Sequence, residues 1–345
     1  RTRFLDLPRR CGRWGPTFAT VSEELSVNED RSDVFEIDGQ TTLVGVMGWP
    51  VAHSLSPAMH NAAVRRLGLN WRYLPLAVHP DRLAEAVAGA AALGFRGFNV
   101  TVPHKQAVLD HLDVIAPGAA AVGAVNTVVV DRSARGLKLK GHNTDVPGFL
   151  DALREGGFEP AGGGKAVVVG AGGASRAVVY GLATAGMDRI VILNRTGARA
   201  EQLASDLREV VVGRGALRAS SLDPETLLVE ASDADLLVNA TTVGMWPESE
   251  ASVWPANAPF PEQLTVYDLV YNPLETCLLR QARRFGARAI DGLGMLARQG
   301  ALALAKWLDG ALDVDDVAAE MRHACVQRLR GRRLGTACDE DGMVE

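Results

Sequence analysis

The chain has 345 residues, 47% of them hydrophobic and 22% charged, with a formal net charge of −5. That length suits two domains and that composition suits a buried core, so disorder as the main state is excluded. The slight acidic excess speaks against a nucleic-acid partner, and no apolar run is long enough to span a bilayer.

The start is rich in arginine. Arg1, Arg3, Arg9, Arg10 and Arg13 stand against one early acid, Asp6, and the apolar core of a secretory signal is absent. Residues 1–39 are expected to be a disordered extension, with a transit peptide as the alternative. Residues 42–47 form a short Val- and Leu-containing run that predicts a strand. Ser56 before Pro57 predicts a capped helix over residues 57–67, with proline in the first turn. A strand over 72–78 and an Ala-rich helix over 81–93 follow. Next come a strand over 95–100, a helix over 105–112, and a strand over 125–130 with a hairpin partner near Leu137. Strands alternating with helices predict an α/β layer with a largely parallel sheet.

Glycines at 156, 157 and 162–164 mark a connector before a fresh start. Residues 166–169 are continuously apolar, as a strand buried on both faces must be. A glycine loop at 170–174 comes next, then a helix over 175–185, a strand over 190–193 and a helix over 199–208. Later strands are expected at 236–238 and 265–270. Two helices, over 293–307 and 314–329, close the pattern, and the polar end from 335 onward is expected to be loose. Cys11, Cys277, Cys325 and Cys338 lie far apart without a CxxC pair, and the histidines are scattered. Reduced thiols in a cytoplasmic protein and no metal site are the expectation.

The glycine loop carries the first chemical signal. Gly170, Ala171, Gly172, Gly173 and Ala174 stand between an apolar strand and a helix, the context that a dinucleotide fingerprint requires. Glycine permits the tight turn and a close approach to a pyrophosphate, while the helix start offers free N–H groups to the anion. The third fingerprint position is Ser175. NAD sites usually place an acid about twenty residues on, for the ribose hydroxyl. Here the next strand ends in Asn194, Arg195 and Thr196, with Arg199 a turn later. Two arginines in place of an acid predict NADP, through charge-assisted bonds to its 2′-phosphate. Two ordinary surface arginines are the plainer alternative.

Four further clusters precede that loop. Ser54 and Ser56 flank a strand-to-helix junction, suited to holding a carboxylate, though Ser56 also reads as a helix cap. Asn99 and Thr101 alternate at the end of a strand that Pro103 stops, with Lys105 beyond it. Alone, Lys105 reads as a surface charge. Asn126 ends one segment, and Asp145 follows Asn143 and Thr144 at a candidate hinge. Ligands in open α/β sheets bind beyond the carboxyl ends of strands, so these clusters have a reason to converge.

Taken in order, the motifs resemble the shikimate dehydrogenase family across residues 42–330. They are His53-Ser-Leu-Ser-Pro57, Asn99-Val-Thr-Val-Pro-His-Lys105, Gly123-Ala-Val-Asn-Thr127, Asn143-Thr-Asp145 and the glycine loop, then Asn194-Arg-Thr196, Asn239-Ala-Thr241, Asp268-Leu-Val-Tyr-Asn-Pro273, and Asp291-Gly-Leu-Gly-Met295 with Gln299. The extension before residue 40 lies outside the resemblance. What the resemblance implies is reversible NADPH-dependent reduction of 3-dehydroshikimate to shikimate. It implies Lys105 and Asp145 as the catalytic pair. Ser54, Ser56 and Tyr271 would hold the substrate carboxylate, and Thr101, Asn126, Asp145 and Gln299 the ring hydroxyls. Leu269 would pack on the nicotinamide and Gly292 would approach it through its backbone. It also implies an N-terminal α/β substrate domain of residues 40–144 joined by 292–330, a Rossmann-type NADP-binding domain of 145–291, C-terminal helices returning to the first domain, a tail over 331–345, and a homodimer as one possible assembly. The rival readings are a quinate/shikimate dehydrogenase that uses NAD, and a non-catalytic NADP-binding regulator on the same fold.

Overall fold

The computed structural model describes residues 36–133, 136–160, 162–213 and 215–339. The expected disorder of residues 1–35 lies outside that range. The first half builds β1 (Thr42–Gly48), α1 (Ser56–Arg66), β2 (Trp71–Ala77), α2 (Leu83–Ala92), β3 (Gly97–Val100), β4 (Val114–Ile115), α3 (Pro117–Val122), β5 (Thr127–Ser133) and β6 (Gly136–His142). Their strands form one sheet in the order β2-β1-β3-β5-β6-β4. β1 pairs in parallel with β2 and β3, and β4 with β6, while β5 runs antiparallel to both neighbours. The sheet is therefore mixed, because the hairpin β5–β6 turns back on itself.

α4 (Asp145–Glu155) leads into the second half. There follow β7 (Lys165–Val169), α5 (Gly173–Ala185), β8 (Arg189–Asn194), α6 (Gly197–Arg208), β9 (Ala216–Ser221), α7 (Pro224–Ala231), β10 (Leu236–Asn239), β11 (Thr265–Asp268), α8 (Cys277–Arg284) and β12 (Arg288–Ile290). This sheet is parallel throughout, in the order β12-β11-β10-β7-β8-β9. The chain winds outward from β7 to β9, then crosses back to β10 and winds out the other way. The order reverses between β7 and β10, and such a switch point opens a crevice at the strand ends. Every residue of β7 is buried: residues 166–169 form the unbroken apolar run, and Lys165 at the start is paired with Glu230 and Asp233.

α9 (Leu293–Trp307) and α10 (Val314–Asp339) return to the first sheet. Leu293, Ala297, Trp307, Val317 and Met321 share one core with Val44, Val46 and Tyr73. Trp307 is anchored further by its Nε1–H, which donates to the Val128 carbonyl at 3.0 Å. Among the described residues no helix is long and apolar enough to cross a membrane.

Several local expectations need correction. Ser56 is not the cap of α1 but its first residue; Leu55 holds the cap position without a side-chain bond. Ser54 Oγ instead accepts from the Ser56 N–H at 3.2 Å. The helix expected over 81–93 splits into a 3₁₀ turn, Pro80–Arg82, and α2. The one expected over 105–112 is only a 3₁₀ turn, Ala107–His111. α10 runs on to Asp339, where a loose tail is expected. β4, α3, α4, β9, α7, α8 and β12 are additional elements. Most are short, and their stability comes from tertiary packing more than from any local pattern.

Candidate active site

The site lies where the carboxyl ends of both sheets meet. In the first sheet β1, β3 and β6 end there, and β5, being antiparallel, starts there. That geometry brings Ser54 and Ser56 (after β1), Thr101 and Lys105 (after β3), Asn126 (before β5) and Asp145 (after β6) to one edge. The second sheet supplies Leu269 and Tyr271 after β11, Gly292 after β12, and Ala174 at the start of α5; α9 supplies Gln299. All of these line one cleft of about 170 Å³.

Lys105 Nζ donates to Asp145 Oδ2 at 2.7 Å, and the two side chains are only 15% and 5% exposed. Asp145 Oδ1 accepts from Asn126 Nδ2 at 2.8 Å. Both carboxylate oxygens thus face groups that only donate. Asn126 Nδ2 lies also 2.9 Å from Thr144 Oγ1 and 3.2 Å from Gln299 Oε1. Two protons cannot serve three acceptors fully. Gln299 Oε1 has the longest contact and so is the acceptor most open to another hydroxyl. Asn126 itself is pinned, since its Oδ1 accepts from the Thr144 N–H at 2.7 Å.

A second layer supports these groups. Tyr73 donates to Asn99 Oδ1 at 2.8 Å, and Asn99 Nδ2 donates to Thr127 Oγ1 and the Asn126 carbonyl, both at 3.0 Å. His60 stacks on Tyr73 with ring centroids 4.1 Å apart. Burial drops the His60 imidazole to about 3, so it stays neutral and adds no charge beneath the cleft. Burial likewise pushes the Tyr271 phenol up, keeping it a proton donor. Of these supports, Asn99 is the one the sequence places on the right face; Thr127 and Thr144 stand inside quoted motifs without a role of their own, and Tyr73 and His60 carry no local signal. Val46 and Leu296, together with Val100 and Met295 from the quoted motifs, add apolar walls to which the sequence assigns no role.

Backbone positions hold the loops in place. Gly170 has φ +116°, and a Cβ there would sit 2.9 Å from the Ala240 carbonyl oxygen. Gly292 presses against Leu269, where a Cβ would stand 2.3 Å from its carbonyl oxygen. Asp291 fixes that turn by accepting from the Leu293 N–H at 3.0 Å and from both Arg322 amino groups, at 2.9 and 2.7 Å. Asp268 ties down the Leu269–Tyr271 segment, accepting from Thr276 at 2.6 Å, Asn239 at 2.9 Å and the Val270 N–H at 3.1 Å. Burial pushes the Asp268 carboxyl up to about 6.

A second cleft, of about 390 Å³, shares Lys105 with the first and is lined by Ala171, Gly172, Gly173 and Arg199. Beyond the Gly172 Cα there is open space, and α5 starts immediately after it. The Gly172 N–H lies 3.3 Å from Ser175 Oγ, so the serine at the third fingerprint position closes the turn from inside. Asn194, Arg195 and Thr196 do not line that cleft; Arg195 and Thr196 are exposed at the end of β8, and Asn194 Nδ2 donates to the Thr196 carbonyl at 2.9 Å. Among the described residues neither Arg195 nor Arg199 is engaged in an ion pair. A free helix start with the uncompensated Arg199 guanidinium lining the same cleft fits a phosphorylated dinucleotide. Among the described residues no cluster of histidine, cysteine and carboxylate groups suits a metal.

Comparison with known proteins agrees with this geometry. The family model for the shikimate dehydrogenase substrate-binding domain matches residues 46–128, and that for shikimate/quinate 5-dehydrogenase matches 153–242. The shikimate dehydrogenase (NADP(+)) of Methanopyrus kandleri is 49% identical over 294 residues, which cover 85% of this chain and 98% of that protein. The enzyme of the same name from Moorella thermoacetica is 50% identical over 79% of this chain and 90% of its own. Among solved structures, shikimate 5-dehydrogenase of Thermus thermophilus in complex with NADP(H) and shikimate is 42% identical, with a TM-score of 0.69, covering 82% of this chain and 99% of that one. With both halves matched in order and relatives this similar over most of their length, the chain belongs to the shikimate dehydrogenase family.

Proposed function

We propose that the chain catalyses the reversible NADPH-dependent reduction of 3-dehydroshikimate to shikimate, a step toward chorismate and the aromatic amino acids. The observation that carries this reading is the part-buried Lys105–Asp145 pair, linked to Asn126, whose lysine stands at the junction of the two clefts. A carbonyl reduced there gains negative charge on its oxygen, and that charge needs a cation and a proton beside it. Lys105 supplies the cation. The proton comes from the Lys105–Asp145 pair, which acts as one coupled unit. Asp145 orients the ammonium and accepts a substrate hydroxyl. Asn126, Thr101 and Gln299 hold the remaining ring hydroxyls. Ser54, Ser56 and Tyr271 hold the carboxylate with neutral donors.

The cofactor, when bound, supplies the hydride. Gly170 to Ala174 and the start of α5 would hold its pyrophosphate, and Asn194, Arg195, Thr196 and Arg199 its adenosine phosphate. Leu269 and Gly292 would shape the nicotinamide end. The proposed division of labour is residues 40–144 with 292–330 as the substrate domain and 145–291 as the NADP-binding domain. We place the enzyme in the cytoplasm, acting without nucleic acid, with a homodimer as its candidate assembly. The net charge of −5 and the free thiols of Cys277 and Cys325 support the first two statements, and sedimentation tests the third.

The deciding experiment is initial rates of NADP⁺ and NAD⁺ reduction with shikimate and with quinate, in all four combinations. Turnover confined to shikimate with NADP⁺ is expected. Quinate turnover with NAD⁺ at a comparable rate would overturn the assignment in favour of the quinate-using relatives.

A further inference from the structure

Arg176 is a cation in an unexpected place. It stands in the first turns of α5, where the helix dipole disfavours positive charge, and it is only 9% exposed. Its guanidinium makes two contacts. Nη1 donates to the Val122 carbonyl, at the end of α3 in the other domain, at 3.2 Å. Nη2 pairs with Asp206 Oδ2 on α6. The other Asp206 oxygen accepts from Gln202 Nε2 at 2.6 Å.

The carboxylate explains the cation. Arg199, Gln202 and Asp206 sit three and seven positions apart and so share one face of α6. That face, together with Gly172 and Gly173, lines the nucleotide cleft. Asp206 lies about 10 Å along the helix from Arg199. That exceeds the Debye length of ~8 Å at physiological salt, but the Asp206 side chain is only 31% exposed and partly buried charges are screened much less, so a bare carboxylate there would still repel a bound phosphate.

We propose that Arg176 is a positioning residue for the phosphorylated cofactor. It neutralises the Asp206 carboxylate inside the nucleotide cleft and ties the pair to the substrate domain through the Val122 carbonyl. The inference rests on the NADP reading of that cleft. Without the guanidinium, the loss falls on cofactor binding. It falls harder on NADP⁺ than on NAD⁺, because a phosphate monoester adds up to about two negative charges.

The test uses Arg176→Gln, Asp206→Asn and the double variant in the full-length enzyme. The readouts are KM for NADP⁺ and for NAD⁺ with shikimate, at low and high salt, together with the unfolding temperature. Arg176→Gln is expected to raise KM for NADP⁺ on the order of 10-fold and KM for NAD⁺ less than about 3-fold. The penalty shrinks as salt rises. The double variant returns KM for NADP⁺ to within about 3-fold of the parent. Asp206→Asn alone leaves it at or below the parent value, a result that scores the proposal even if Arg176→Gln does not fold. A double variant that keeps the full penalty overturns the proposal, as does an equal, salt-independent loss for both cofactors. A parent enzyme that shows no preference for NADP⁺ would sink the nucleotide reading instead, while the Asp206→Asn rescue still reports on the charge pairing.

Discussion

Replacing Lys105 tests the chemistry most directly. Its Nζ lies 2.7 Å from Asp145 Oδ2 and is largely withdrawn from water. A cation about 3 Å from a developing oxyanion, at an effective dielectric near 20, interacts by roughly 5 kcal/mol. General acid–base groups typically contribute ~10²–10⁴-fold, or roughly 3–5 kcal/mol of barrier, which agrees. Lys105→Ala is therefore expected to lower kcat by ~10²–10⁴-fold while KM for shikimate changes less than about 3-fold. The stem needs its own control, because the Lys105 Cδ stands 3.3 Å from where a Cβ on Gly173 would sit. Lys105→Met keeps that packing and removes only the charge, so its kcat should match that of Lys105→Ala to within about 5-fold. Asn126 still donates to Asp145 in both variants, so the rest of the site stays in place. Steady-state rates with shikimate and NADP⁺ measure both constants. A near-normal kcat with a raised KM would mean that Lys105 only binds substrate, and the proposed proton transfer would be wrong.

Arg195→Ala should raise KM for NADP⁺ well above any change for NAD⁺; equal losses for both would dismiss its contact with the 2′-phosphate. Gly148→Ala places a Cβ 2.8 Å from the Gln299 backbone nitrogen, so it should displace Gln299 and raise KM for shikimate severalfold, as measured by initial rates. An unchanged KM would show that Gln299 does not reach the substrate. Asp268 gives a pH signature. Its folded carboxyl titrates near 6, above the unfolded value, so its stabilising contribution is complete below about pH 4 and is lost as pH rises through 6. The loss amounts to about 3 kcal/mol. Asp268→Asn removes that slope, so urea unfolding at pH 4.5 and 7.5 should show the parent weakening relative to the variant as pH rises; a constant difference refutes the burial argument.

The sequence determined by itself what depends on neighbours along the chain. The unbroken apolar residues 166–169 of β7, the glycine loop behind it and the missing acid after β8 identify a phosphorylated dinucleotide, because strand burial, backbone turn and anion binding are set within a few residues. The long, strongly patterned helix α9 was legible for the same reason. Lys105, Asp145, Asn126 and Gln299 were individually ambiguous, and only their family order singled them out. Tertiary structure decided the rest. It set β5 antiparallel, so that Asn126 meets the ends of β3 and β6. It stabilised short elements such as β4 and α7, whose order comes from packing rather than propensity. It placed Tyr73, Thr127 and Thr144 beneath the cleft, and it paired Arg176 with Asp206 across two helices. Contacts between residues tens of positions apart leave no periodic trace in the chain, so the supporting shell of the site appears only when the sheets are assembled.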